Sequence, residues 1–153
     1  GRVAIQVLQE IQNALAIPVI ANGGVFRWSD AEELLSNTGC NACMVARGAM
    51  GNPWVFDAIA RKKDVYPSHA QLCTEIEHHI MDMAEFYETD QVFPAARKVI
   101  HCYLGGRGYP RDLKLRANHL SSPGDFAEFM HVLRDRKPSV TGNICRRTGE
   151  TVT

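Results

Sequence analysis

Apolar residues recur every four positions at the start of the chain. Val3, Val7, Ile11 and Leu15 would share one face of a helix. Residues 17–21 (Ile-Pro-Val-Ile-Ala) are short, apolar and bounded by Asn22-Gly23-Gly24, which predicts a buried strand. Ser29-Asp-Ala-Glu32 has the spacing of a capping box. It opens a second helix through Ala31, Leu34 and Leu35 that stops near Gly39. Residues 42–46 predict a second buried strand. Asn52-Pro53 reads as an N-cap followed by proline at the first helical position, starting a short helix through Trp54, Phe56 and Ile59. Two consecutive buried strands joined by a helix make a parallel βαβ unit, so this part is α/β. Two strands do not make a stable sheet alone. The pattern therefore predicts that further strands precede residue 1 or come from another chain.

After Lys62-Lys63-Asp64 the pattern changes to helices only. Ser68-His-Ala-Gln71 is another capping box. Leu72, Ile76, Ile80, Met83 and Phe86/Tyr87 form the apolar stripe of a long helix. Residues 95–104 predict a helix ending at Gly105-Gly106, and residues 112–118 a short one. Ser122-Pro123 starts the last, with Phe126, Phe129, Met130 and Leu133 on one face. The boundary between the α/β piece and the helical domain falls near Tyr66-Pro67. Residues 1–64 form the first domain, 65–137 the second, and the polar stretch 138–153 reads as a loose tail.

Composition changes this picture little. The chain has 153 residues, and 17 Lys and Arg balance 17 Asp and Glu, so any nucleic-acid binding must come from a local patch. No apolar run approaches a bilayer span. The chain begins Gly-Arg-Val and enters an amphipathic pattern directly, as a chain cut within a domain would. Its five cysteines, Cys40, Cys43, Cys73, Cys102 and Cys145, are odd in number and irregular in spacing. That argues against a secreted disulfide framework and for a reducing, cytoplasmic setting. Cys40-Asn-Ala-Cys43 has no second ligand pair, so it reads as small buried thiols on a strand and not as a metal site.

Chemistry concentrates at the two strand ends. One strand runs into Asn22-Gly23-Gly24 and the other into Arg47-Gly48-Ala49. In parallel α/β folds ligands sit at the carboxyl ends of strands, and barrels of this kind often hold a phosphate after strands seven and eight. Glycines let a backbone approach a phosphate closely, and an arginine adds a charge-assisted hydrogen bond. Either motif alone makes a tight turn. Together, at matching strand ends, they point to a phosphate site. The spacing is not that of a dinucleotide-binding G-x-G-x-x-G loop.

Ile17-Pro-Val-Ile-Ala-Asn-Gly-Gly-Val25, followed by Cys43-Met-Val-Ala-Arg-Gly-Ala-Met-Gly-Asn-Pro-Trp-Val-Phe56, closely resembles the end of the tRNA-dihydrouridine synthase barrel, in a spelling nearer a eukaryotic branch. The resemblance is strong over residues 16–57 and rests on helix order and a few residues over 65–137. It implies the C-terminal segment of a TIM (β/α)8 barrel, contributing its last two strands, followed by an all-α helical-bundle domain. It also implies that Asn22, Gly23, Gly24, Ala46, Arg47 and Gly48 line the phosphate site of FMN. The family reduces the C5–C6 bond of a tRNA uridine: NADPH reduces the flavin, the flavin delivers hydride to C6, and a cysteine protonates C5. That cysteine belongs to an earlier barrel loop, so no catalytic residue is assigned in this chain, and the missing N-terminal barrel half would be needed for a complete site.

In the helical domain, residues 96–104 partly match a family R-K-H…W-Y-L segment. Val99 stands at the histidine position, Cys102 replaces the aromatic, and His101 points elsewhere on the helix. By the same resemblance, Arg97, Lys98, Arg107, Arg111 and Lys114, with Arg116 nearby, form a basic face for tRNA phosphates. Ordinary solvated helix ends would look the same, and both readings stay open. His69, His78, His79, His119 and His131 have no convergent carboxylate or nucleophile and read as structural. Two other classes remain: a different FMN-barrel oxidoreductase, against which Asn52-Pro-Trp-Val-Phe56 argues, and a non-catalytic RNA- or protein-binding piece.

Overall fold

The computed structural model describes residues 3–87 and 89–139. The chain divides into two compact units, Gly1–Val65 and a second beginning at Tyr66. No helix among the described residues is long and apolar enough to cross a membrane.

The first unit runs α1 (Ile5–Ala14), β1 (Ile20–Asn22), α2 (Trp28–Thr38), β2 (Ala42–Met44), a 3-10 turn (Arg47–Ala49) and α3 (Trp54–Ala60). The two strands pair in parallel, with Ile20 opposite Ala42, Ala21 opposite Cys43 and Asn22 opposite Met44. Asn41 ties the chain entering β1 to the chain entering β2. Its side chain accepts from the Val19 N–H at 3.1 Å while its own N–H donates to the Val19 carbonyl at 3.1 Å. Ala21 lies in the core with Val25, Ala31, Leu34 and Cys40, and Ile5, Leu8, Val19 and Leu35 pack against them.

One expectation fails here. The strands are not buried on both faces: Ile20 is 59 % exposed and Met44 51 % exposed, because the helices cover only the Ala21–Cys43 side. The expected first helix forms as α1, but Val7 and Ile11 on it and Leu15 just after it are exposed, and it packs through Ile5 and Leu8. A helix with apolar residues on two sides has two candidate contact faces, and the position of α2 selected one of them.

The expected capping box on α2 also fails. The helix starts at Trp28, so Ser29 lies inside it, and Arg27 makes no side-chain cap bond. Carboxylates supply the missing acceptors instead. Asp64, distant in sequence, accepts from the Ser29 N–H at 3.1 Å and from its hydroxyl at 3.2 Å, and Asp30 accepts from the Phe26 N–H at 3.0 Å. Negative charge at a helix start also opposes the positive end of the helix dipole favourably. At the other end Gly39 takes the left-handed conformation expected of a C-cap, with φ 69°, and donates to the Leu35 carbonyl.

The described residues of the second unit form four helices: α4 (His69–Phe86), α5 (Thr89–Leu104), α6 (Arg111–Ala117) and α7 (Pro123–Asp135). α4 packs on α5 and α7, and α6 packs on α5 and α7. Leu72, Ile76 and Ile80 of α4 meet a core that includes Ala96, Ile100, Leu104, Leu113, Phe129 and Leu133. The apolar stripe stops short of its expected end. Phe86, the last residue of α4, is 85 % exposed, and Tyr87 just after it is exposed too. α5 begins earlier than expected and carries Pro94 inside it. Proline there removes one backbone donor near the helix start, which packing of the buried Val92, Phe93 and Ala96 outweighs. Ser139, the last described residue, donates from its N–H and hydroxyl to the Gly108 carbonyl. The remainder of the expected tail lies outside the described residues.

The capping box on α4 forms in full. The Ser68 hydroxyl accepts from the Gln71 N–H at 3.2 Å, and the Gln71 side chain accepts from the Ser68 N–H at 2.9 Å. Ser68→Ala should therefore cost about 1 kcal/mol, whereas Glu32→Ala, at the box that does not form, should stay within about 0.5 kcal/mol of the parent. Urea denaturation of the two variants measures the contrast.

Candidate functional site

Parallel pairing sets the carboxyl ends of β1 and β2 side by side, because Asn22 lies opposite Met44. The expected site residues Asn22, Gly23 and Gly24 leave one strand, and Ala46, Arg47 and Gly48 leave the other. Gly23 and Gly24 have φ of 144° and 70°, conformations that side chains rarely tolerate, so the chain turns sharply away from β1. Gly48 is required for a different reason. A Cβ there would lie 1.9 Å from the Val25 carbonyl oxygen, so the second loop rests directly on the backbone of the first.

Arg47 opens the 3-10 turn. The Ala49 and Met50 N–H groups close it onto the Ala46 and Arg47 carbonyls, at 3.1 and 3.3 Å. The N–H groups of Arg47 and Gly48 precede those bonds, as the first donors of any helical turn do. The Arg47 side chain is exposed and makes no hydrogen bond or ion pair among the described residues.

Two further residues belong to this arrangement. Asn52 was expected to cap α3, but its side-chain amide instead donates to the Phe26 carbonyl at 3.2 Å and to the Gly48 carbonyl at 3.3 Å. It is only 5 % exposed. Asp30, read in the sequence as part of a capping box, holds the Phe26 N–H and also faces Arg27 at 3.5 Å. The signal for both was present as Asn-Pro and as an acidic first turn. Local pattern assigned Asn52 to a helix end, and only the meeting of the two loops redirects it.

Chemically, the strand ends offer glycine backbone and one unengaged guanidinium, while the neighbouring carboxylate Asp30 is buried and engaged. That donor set fits a compact anion such as a phosphate monoester. Among the described residues no three His, Cys, Asp or Glu side chains gather as a metal site. Burial pushes the Cys43 and Cys73 thiols up, against the direction that would activate a nucleophile.

In the helical unit the expected basic face is reduced. Arg107 is 8 % exposed and donates to the Tyr103 carbonyl at 2.8 Å, and burial lowers its pKa from the usual range. It anchors the turn after α5 and does not present itself at a surface. Arg97 is half-buried and donates twice to the Leu120 carbonyl, at 2.9 and 2.7 Å, fastening α5 to the end of α6. Lys98 and Arg111 are exposed and Lys114 is half-exposed. Arg116 faces Glu128 at 3.8 Å. The histidines that make contacts act structurally. His69 bridges the Tyr109 hydroxyl at 2.8 Å and the Arg134 carbonyl at 3.1 Å, and His79 meets the Tyr103 hydroxyl at 2.9 Å. His101 pairs with the Asn118 side chain at 2.6 Å.

Since nothing larger than hydrogen fits between Gly48 and Val25, Gly48→Ala should destabilise the first unit by about 1–3 kcal/mol through overpacking. Ala49→Gly, beside it, should cost about 1 kcal/mol or less. Chemical denaturation followed by Trp28 and Trp54 fluorescence separates the two.

Comparison with known proteins accounts for both units together. A family model described as dihydrouridine synthase matches residues 1–137. tRNA-dihydrouridine synthase B of Pasteurella multocida is 33% identical over 104 residues, covering 65% of this chain and 31% of its own length. A probable tRNA-dihydrouridine synthase of Rickettsia prowazekii is 31% identical over 121 residues, 76% of this chain and 37% of its own. One from Aquifex aeolicus is 24% identical over 130 residues, 85% of this chain and 41% of its own. The chain thus matches 31% to 41% of the length of these relatives, and a match that runs through the strand-end loops and on across the helices of the second unit makes it a member of the dihydrouridine synthase family.

Proposed function

We propose that this chain carries the FMN phosphate half-site and the tRNA-docking helical domain of a tRNA-dihydrouridine synthase. Residues 1–64 are then the last two strands of the TIM barrel with their helices, and residues 65–137 the helical domain. The observation that carries the reading is the paired strand ends, with Gly23 and Gly24 on one side and exposed Arg47 on the other.

The exposed faces support it. Ile20 and Met44 on the sheet, and Val7, Ile11 and Leu15 on α1, leave apolar surface on two sides of the first unit. Contiguous apolar surface of that kind marks a contact face. The remaining strands and helices of a closed barrel would cover both.

In this reading the phosphate of FMN accepts hydrogen bonds from backbone N–H groups of residues 22–24 and 46–48 and from the Arg47 guanidinium. Bound there, FMN supplies the hydride that reduces the uridine C5–C6 bond, with NADPH as its reductant. The residues of this chain hold and orient the phosphate end. They do not supply the proton for C5, which is the task of a cysteine in another barrel loop. Lys98, Arg111 and Lys114 remain as the phosphate contacts of the helical domain. Arg97 and Arg107 contribute by holding its helices in place.

In the full-length protein, Arg47→Ala should lower FMN affinity about tenfold, the scale of one lost charge-assisted hydrogen bond. Flavin fluorescence titration measures it, and unchanged affinity would remove Arg47 from the site. Lys98→Glu with Arg111→Glu should weaken tRNA binding and flatten its dependence on salt by about one unit of slope per residue. Flavin affinity of that double variant should stay at the parent value.

A further inference from the structure

Three contacts converge on the peptide segment between Val25 and Arg27. The Phe26 N–H donates to Asp30 at 3.0 Å, the Phe26 carbonyl accepts from Asn52 at 3.2 Å, and the Val25 carbonyl lies against Gly48 with no room for a Cβ. Asn52 also donates to the Gly48 carbonyl at 3.3 Å, so one buried amide binds both loops at once. Asp30 and Asn52 are both buried, and neither lies within the Gly-Gly or Arg-Gly segments themselves.

From this we infer that Asp30 and Asn52 are positioning residues. Asn52 ties the loop after β1 to the turn after β2, and Asp30 fixes the first of those loops from the start of α2, so that both are set before any ligand arrives. The inference rests on the FMN reading above and assigns to that site two residues that would not touch the flavin. The physical basis is rigidity. A glycine-rich loop left to itself samples many conformations, and a ligand that must order it binds more weakly by the cost of that ordering. Here the loop is gripped on both polar atoms of one residue by side chains from two helix starts. Asn52 acts only as a donor in these two bonds, and Asp30 only as an acceptor in its bond to Phe26. The two positions therefore have opposite chemical requirements.

Those requirements define the test. FMN and riboflavin affinities are measured for the full-length protein, since riboflavin lacks the phosphate. Asn52→Ala and Asn52→Asp should each weaken FMN about ten- to a hundredfold, the scale of buried polar partners left unmatched, and riboflavin less than threefold. Asp removes the amide donor and turns oxygen atoms toward two carbonyls, so its resemblance in shape should not rescue binding. Asp30→Asn keeps an acceptor for the Phe26 N–H and should retain FMN binding within about threefold, whereas Asp30→Ala should lose it as Asn52→Ala does.

Val55→Ala, a buried cavity in the same unit, serves as a control for general loss of stability. It should lower the melting temperature without changing the ratio of the two affinities. Should Asn52→Ala fail to fold, the Asp30 pair carries the same comparison. Parallel losses of FMN and riboflavin in the folded Asn52 and Asp30 variants, or no loss of either, would overturn the positioning role while leaving the flavin reading intact. A parent protein that binds neither ligand would instead overturn the flavin reading.

Discussion

Gly48 against the Val25 carbonyl is the contact on which the arrangement of the first unit turns. It is backbone on backbone, so its separation is set by atomic radii and not by an adaptable side chain. Once the two loops touch there, the Phe26 and Gly48 carbonyls come within reach of a single amide, and Asn52 satisfies both. Burying those carbonyls without a donor would be unfavourable by an amount comparable to a lost hydrogen bond each. The close packing and the buried amide are therefore two parts of one solution. Everything the strand ends present outward, Gly23, Gly24 and Arg47 included, is held in place by it.

The helical unit uses arginine in the same spirit. Arg97 and Arg107 lie where a sequence pattern suggests a basic surface, yet both donate to main-chain carbonyls, Arg97 to Leu120 between α6 and α7 and Arg107 to Tyr103 in the last turn of α5. Carbonyls at a helix end lack intrahelical partners, and a guanidinium has enough donors to serve them. Histidine does related work between helices. His69 and His79 join α4 to the hydroxyls of Tyr109 and Tyr103, and Tyr103 also donates to Glu75 at 3.5 Å. Burial raises the pKa of both Tyr103 and Tyr109, so they remain neutral partners across the ordinary pH range. Of the five basic residues the sequence singles out in this unit, only Lys98, Arg111 and Lys114 keep their side chains at least partly exposed and outside these structural bonds.

A sheet of two strands with one covered face is not a finished structure. The Ala21 and Cys43 side carries α1 and α2, while Ile20 and Met44 face outward. An unpaired strand edge and a bare apolar face both favour association. The relatives in its family run to a little over twice the length of this chain.

The order of elements, the change from α/β to all-helical near Tyr66, the full capping box at Ser68 and the Gly39 helix stop were legible in the sequence. Each depends on residues within a few positions of one another, where local geometry dominates. The glycines and Arg47 at the strand ends were legible too, since strand ends and turn residues follow directly from the pattern. What the sequence alone did not determine was which side of α1 would pack, which of five basic residues would face solvent, that Asp64 would cap the start of α2, and that Asn52 would bind the loop after β1 in place of capping α3. Those outcomes belong to the tertiary structure. A side chain with several acceptable partners takes the one that long-range packing brings within reach, and no local rule states which peptide groups packing will bury.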